Sequence, residues 1–151
     1  MNGNTGNYCR QDAREDVGQD LFQNRRDSLG VTVRRYSPEY RDAWNAFASS
    51  SAQPHFLFDR NYMDYHADRF VDESLMFYQD NNLVGLFPAN RRDGVLASHE
   101  GLTFGGLITS LNTSPDLTLA MCGSLEHYCR ENGDASLIYK AMPPHFVLQE
   151  S

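Results

Sequence analysis

Basic charge, long apolar runs and cysteine are all scarce in this chain of 151 residues. A net charge of −7 argues against a nucleic-acid binder that works by neutralising phosphates. The arginines do pair, as Arg25-Arg26, Arg34-Arg35 and Arg91-Arg92, but pairs on turns and strand edges read as solvated charge. No apolar run approaches the ~20 residues that a membrane helix needs, so no membrane insertion is expected. The N-terminus is polar and has no apolar core of a secretory signal. Three cysteines, Cys9, Cys122 and Cys129, are too few and too scattered for a disulfide framework or a zinc knuckle. A reduced, cytoplasmic protein is the expectation.

Several chemistry-bearing signatures are also missing. His99-Glu100 does not open an HExxH zinc motif, because Thr103 stands where the second histidine would be. Gly101, Gly105 and Gly106 fit neither a Walker loop nor a dinucleotide fingerprint. There is no G-x-S-x-G elbow, and no cysteine has a local histidine arrangement that would make it a nucleophile. Asp64, His66 and Asp68 are too few for a metal site, so none is expected.

What is present suffices for one domain. Apolar residues make up 40% of the chain, with nine Phe, eight Tyr and one Trp. Residues 1–29 read as a polar, flexible leader, 30–146 as the folded part and 147–151 as a tail. Residues 31–36 alternate and are β-branched, which predicts a strand. Ser37-Pro38 then starts a helix whose apolar stripe is Tyr40, Ala43, Trp44, Phe47 and Ala48. Asp59 caps a second predicted helix running to Phe70. Residues 74–78, 83–87 and 95–108 form an expected three-strand antiparallel meander, with Asp93-Gly94 as its strongest turn. Ser114-Pro115 opens a last helix, with Leu117, Met121, Leu125 and Tyr128 on its buried face, and Gly133 ends it. Cys122 and Cys129, seven apart on that helix, read as small packing residues. Residues 135–142 are the last predicted strand.

The stretch SHEGLTFGGLI, residues 98–108, concentrates the chemistry. Three glycines in a strand imply a kink, a bulge or a close backbone approach. His99 and Glu100 sit beside that irregularity and are the candidate catalytic pair, able to deprotonate an acceptor amine. Tyr65, His66 and Arg69 on the second helix, with Gly105 and Gly106, are the candidate substrate-binding residues. The structural alternative is an ion pair between Glu100 and Arg69, with His99 capping a backbone carbonyl.

The fold class is therefore α/β (α+β), β-α-α-β-β-β-α-β, with a mostly antiparallel central sheet. That order resembles the first part of the GNAT N-acyltransferase fold. NYMDYHADRF, SLMFYQDNNLVGLFPAN, SHEGLTFGGLI and YKAMPP, in this order, resemble the N-terminal half of FemAB-type proteins with tandem GNAT-like domains. The resemblance spans roughly residues 31–146. It implies an acyltransferase of cell-envelope or polysaccharide pathways, an acyl-CoA donor such as acetyl-CoA, and a sugar or peptide acceptor. It also implies that this half shapes the acceptor cleft and is inactive without a second GNAT-like domain. Where that fold has a glycine-rich pyrophosphate loop, this chain has Thr113-Ser114-Pro115-Asp116, with no glycine nest, one N–H fewer and an added negative charge. The alternative is a non-catalytic binding or oligomerisation module, completed by homodimerisation along exposed sheet edges.

Overall fold

The computed structural model describes residues 29–148. The predicted leader, apart from its last residue Leu29, and the last three residues of the predicted tail lie outside them. Strand β1 (Val31–Arg35) is followed by a 3-10 turn and helix α1 (Arg41–Ser49). The helix buries Trp44 and Ala48, and the indole N–H donates to the Phe58 carbonyl at 2.8 Å. Ser37 does not cap the backbone; its hydroxyl bonds Glu39, so the start is a 3-10 turn at Pro38.

Helix α2 (Arg60–Tyr65) is half the length that its sequence predicts. Asp59 caps it, accepting from the Asn61 N–H at 2.7 Å. The helix stops at His66 because the chain must turn back. Asp72 returns to pair with Arg60 and bridges to Asn90.

Strands β2 (Leu75–Gln79) and β3 (Asn82–Phe87) follow, then β4 (Ala89–Arg92) and β5 (Val95–Ser98) across the Asp93-Gly94 turn. The first two expected strands are present, the second ending at Pro88, which has no N–H to give a ladder. The third, expected over 95–108, is split: β5 pairs with β4, a strand that was not expected, and β6 (Ile108–Thr109) lies beside β3 in the other sheet. Among the described residues the result is two hydrogen-bonded sheets, β1-β2-β3-β6 and β4-β5-β7, instead of one. All pairings are antiparallel except β5 with β7 (Ser136–Ile138).

Helix α3 (Pro115–Glu131) crosses between β6 and β7. Ser114 caps it through the Leu117 N–H. Its buried face carries Ala120, Met121, Leu125 and Cys129, with Leu117 and Tyr128 packed against the same cluster. This cluster contains Leu75, Phe77, Phe87 and Leu96 from the sheets. Trp44, Phe58, Met76, Leu86 and Ile108 make a second cluster on the opposite face of β2 and β3. That explains why β2 is apolar throughout. Burial pushes the thiols of Cys122 and Cys129 up, the latter to about 11, which makes them inert packing groups.

The glycines of residues 101–106 are steric necessities. Gly101 has φ +80, and a Cβ there would lie 2.6 Å from Phe70 Cζ. Gly106 has φ +82 and faces the Lys140 carbonyl and the Tyr139 ring at 3.1 Å. Gly101→Ala is therefore expected to cost about 1–3 kcal/mol, from left-handed strain and displacement of Phe70. Urea unfolding checks this, and a loss no larger than that of Gly94→Ala, which has open space around it, would contradict the role of the Phe70 contact.

Candidate functional site

A cavity of about 190 Å³ opens where β5 ends. One wall comes from α2 and the turn after it, with Arg60, Asp64, His66 and Arg69. The other comes from Asn90 and from the first turn of residues 99–107, with His99, Glu100 and Leu102. The site therefore forms at the carboxyl end of a parallel strand pair, because β5 and β7 are in register only from Val95↔Ser136 to Ala97↔Ile138.

His99 is placed by backbone strain. Its φ is +48, and its N–H donates to the Pro88 carbonyl at 2.9 Å. The residue is 5% exposed and lies beside the Phe58 ring. Burial pulls its pKa down to about 4, against the opposing effect of a hydrogen bond to the Phe104 backbone. The imidazole is thus neutral at pH 7. Its Nδ1 is buried and has no partner, while Arg60 and Lys140 nearby further disfavour protonation. The depressed folded value means that stability present above pH ~6.5 is lost as pH falls toward 4. The loss is about 3 kcal/mol at full extent, and His99→Gln should flatten the urea-midpoint profile between pH 6.5 and 4. An unchanged profile would mean that His99 is accessible to protons in the folded state.

Glu100 pairs with Arg92, at 3.4 Å, rather than with Arg69. Its N–H donates to Asn90 Oδ1 at 3.0 Å. The hairpin thus supplies the partner that was expected from Arg69, which lies in the turn after α2.

Arg60 is the residue that the sequence reading missed. It is 1% exposed, with its guanidinium carbon 3.4 Å from the Tyr36 ring centroid and 4.2 Å from that of Trp44. Its Nη1 reaches Asp72 at 2.6 Å and Asp64 at 3.5 Å. Nε and Nη2 have no hydrogen-bond partner. Unpartnered buried donors cost about 1–3 kcal/mol each.

His66 and Arg69 line the cavity together with His99 and Glu100. Tyr65 does not; it is 81% exposed, because α2 ends there. Gly105 and Gly106 lie behind the wall. A Cβ on Gly105 would be 2.9 Å from the Cβ of His99, so this glycine lets the histidine sit where it does.

The acyl-CoA donor that the resemblance implies does not fit beside β7, where the chain bonds to itself. The Lys140 N–H donates to Ser98 Oγ, the Gly105 N–H to the Lys140 carbonyl, both at 2.8 Å, and the Leu107 N–H to the Tyr139 hydroxyl at 2.9 Å. The protein's own residues 105–107 fill the space. At the start of α3, Ser114 already caps Leu117, Pro115 has no N–H and Asp116 adds a carboxylate. These same bonds explain why β7 ends at Ile138 and not at Met142. Among the described residues, no group of three histidine, cysteine, aspartate or glutamate side chains can hold a metal ion, and no helix is long and apolar enough to cross a membrane.

No family model matches the sequence, and no curated protein matches it either. Among solved structures, an aminoglycoside N-acetyltransferase in complex with CoA is similar, at 13% identity and a TM-score of 0.48. The match covers 75% of this chain and 78% of that one. At those values the likeness assigns neither family nor function to this chain.

Proposed function

We propose that residues 30–146 form an N-acyltransferase-related domain, GNAT-like in strand order and of the FemAB type by its motifs, which shapes the acceptor cleft. The observation that carries this reading is the cavity at the end of the parallel β5–β7 pair, with His99, Glu100, His66 and Arg69 in its walls. The neutral His99 has an unpartnered but buried ring nitrogen, Nδ1, which accepts a hydrogen bond from an acceptor amine only once the surrounding turn shifts to uncover it. The acyl donor, acetyl-CoA or another, is held by a second GNAT-like domain, since residues 105–107 fill the gap in this one. Sugar or peptide amines are the acceptor class, and the cell envelope or its polysaccharides the setting.

Thermal melts with glucosamine, alanyl-alanine, acetyl-CoA and free CoA test the reading. A ligand at a hundred times its dissociation constant adds about 2.7 kcal/mol, an easily measured rise in melting midpoint. The expected result is a rise with an amine acceptor and none with either CoA form. A rise with acetyl-CoA would place a donor site in this domain and overturn the division of labour.

A second reading rests on β7. Its outer edge is unpaired among the described residues, and Leu137, Ile138 and Tyr139 are exposed along it. A binding or oligomerisation module would pair two such edges in a homodimer. Concentration-dependent sedimentation, with no melt response to amines, would favour that reading.

A further inference from the structure

The turn that carries His99 is held unevenly along its length. At its start the His99 N–H donates to the Pro88 carbonyl and the Glu100 N–H to Asn90 Oδ1. At its end the Gly105 N–H donates to the Lys140 carbonyl. Between these anchors, residues 101–104 make one backbone–backbone hydrogen bond among the described residues, from the Leu102 N–H to the His99 carbonyl at 3.2 Å. Gly101 and Thr103 are exposed, while Leu102 and Phe104 are half-buried against the second core cluster. A glycine stands at each end of the stretch, Gly101 with φ +80 and Gly105.

Side chains hold this stretch down instead. Lys140 Nζ donates to the Leu102 carbonyl at 3.1 Å. The Phe104 ring is stacked 5.7 Å from that of Phe146 and meets His55 edge-on at 5.2 Å. Phe146 lies on a short 3-10 turn and is itself 44% exposed. One charge-assisted hydrogen bond and a few ring contacts are a light hold beside a sheet ladder. The stretch lies against His99: the Phe104 backbone bonds the imidazole, and the Phe58 ring touches both side chains. The imidazole it covers is buried, with Nδ1 unpartnered.

We infer that residues 101–104 form a lid over the His99 imidazole, hinged at Gly101 and Gly105 and latched by the side chains of Lys140 and Phe146. Opening lifts Leu102 and Phe104 while residues 105–107 stay stitched to Tyr139 and Lys140. It therefore exposes little surface and leaves both sheets intact. The inference rests on the acceptor-cleft reading only in giving the motion a use: the open lid admits an amine to Nδ1, and the closed lid keeps water from it.

Diethyl pyrocarbonate, which modifies neutral imidazoles, reads the opening without any acyl transfer by the protein. Peptide mass spectrometry follows each histidine at pH 7.5, under single-hit conditions and in rising, sub-denaturing urea. At that pH His99 is neutral with or without Lys140 beside it, so its rate reports access. The expected rate for His99 is roughly tenfold or more below that of His127, whose side chain is 42% exposed, and nearly flat in urea, because a local opening exposes little surface. Lys140→Met and Phe146→Ala should each accelerate His99 about fivefold, the effect of losing one modest contact, and the rate should stay flat in urea. Lys140→Met keeps the backbone bonds to Ser98 and Gly105, which do not use its side chain. A His99 rate that climbs with the full unfolding slope, a rate equal to that of His127, or no acceleration in either variant would each overturn the inference. If the lid opens as expected but amines produce no melt response, the lid stands and the acyltransferase reading fails.

Discussion

Glu73→Ala is expected to lower the unfolding free energy by about 3–5 kcal/mol, the loss typical of breaking a buried ion pair from one side. The Glu73 side chain is 5% exposed. It accepts from Arg91 at 2.7 Å, from Arg35 at 3.1 Å and from the Tyr128 hydroxyl. Arg91 in turn grips Asp134 with two bonds. One carboxylate thus joins β1, β4 and α3, and through Arg91 the residue ahead of β7. The surroundings register this: burial and the Glu73 bond push the Tyr128 phenol up to about 12, and the bond to Asp134 raises Arg91 above its ordinary value. Without Glu73, the Arg91 guanidinium and the Tyr128 hydroxyl lose a shared acceptor in a site with little water. Urea unfolding of Glu73→Ala, Tyr128→Phe and the double variant measures the coupling. A loss below about 1 kcal/mol for Glu73→Ala would show that the cluster behaves as an exposed pair.

The second large effect is expected at Arg60. Arg60→Ala removes the counterion of Asp72 and leaves a void beside the edge-to-face pair of Tyr36 and Trp44, which together cost about 3–5 kcal/mol. The combination Arg60→Met with Asp72→Asn fills the void and removes both charges, and it should recover most of that loss. Failure of the double variant to recover stability would mean that the guanidinium's contacts with the two rings, not the charge pairing, carry the stability.

Local chemistry made much of the fold legible. The Asp59 cap, the Asp93-Gly94 turn, the Ser114 cap and the left-handed Gly133 each depend on a few neighbouring residues, and the structure has all four. Elements whose ends depend on distant partners were overextended. The helix from Asp59 stops at Tyr65 because Asp72 must come back to Arg60. The last strand stops at Ile138 because Lys140 and Tyr139 bond to the segment 98–107. In the candidate site, His99 and Glu100 were signalled by the glycines around them. Arg60 was not, since nothing in DRNY tells that Tyr36 and Trp44 will enclose it. One faint signal existed: an arginine in the first turn, where the helix dipole disfavours a cation, suggests that something else holds it.

Residues 105–107 are stitched to Tyr139 and Lys140, at the far end of the described chain. This sets an order of assembly. Residues 60–72 and the hairpin can meet early, but the turn carrying His99 gains its backing only after β7 has joined β5. During synthesis no finished cavity can exist before residue 140 has left the ribosome. In the folded protein the Gly105 and Leu107 amides should exchange with solvent at the same rate as those of β7, as one opening unit. A chain that lost its last dozen residues would still fold its first sheet, yet its cavity would lack a fixed wall.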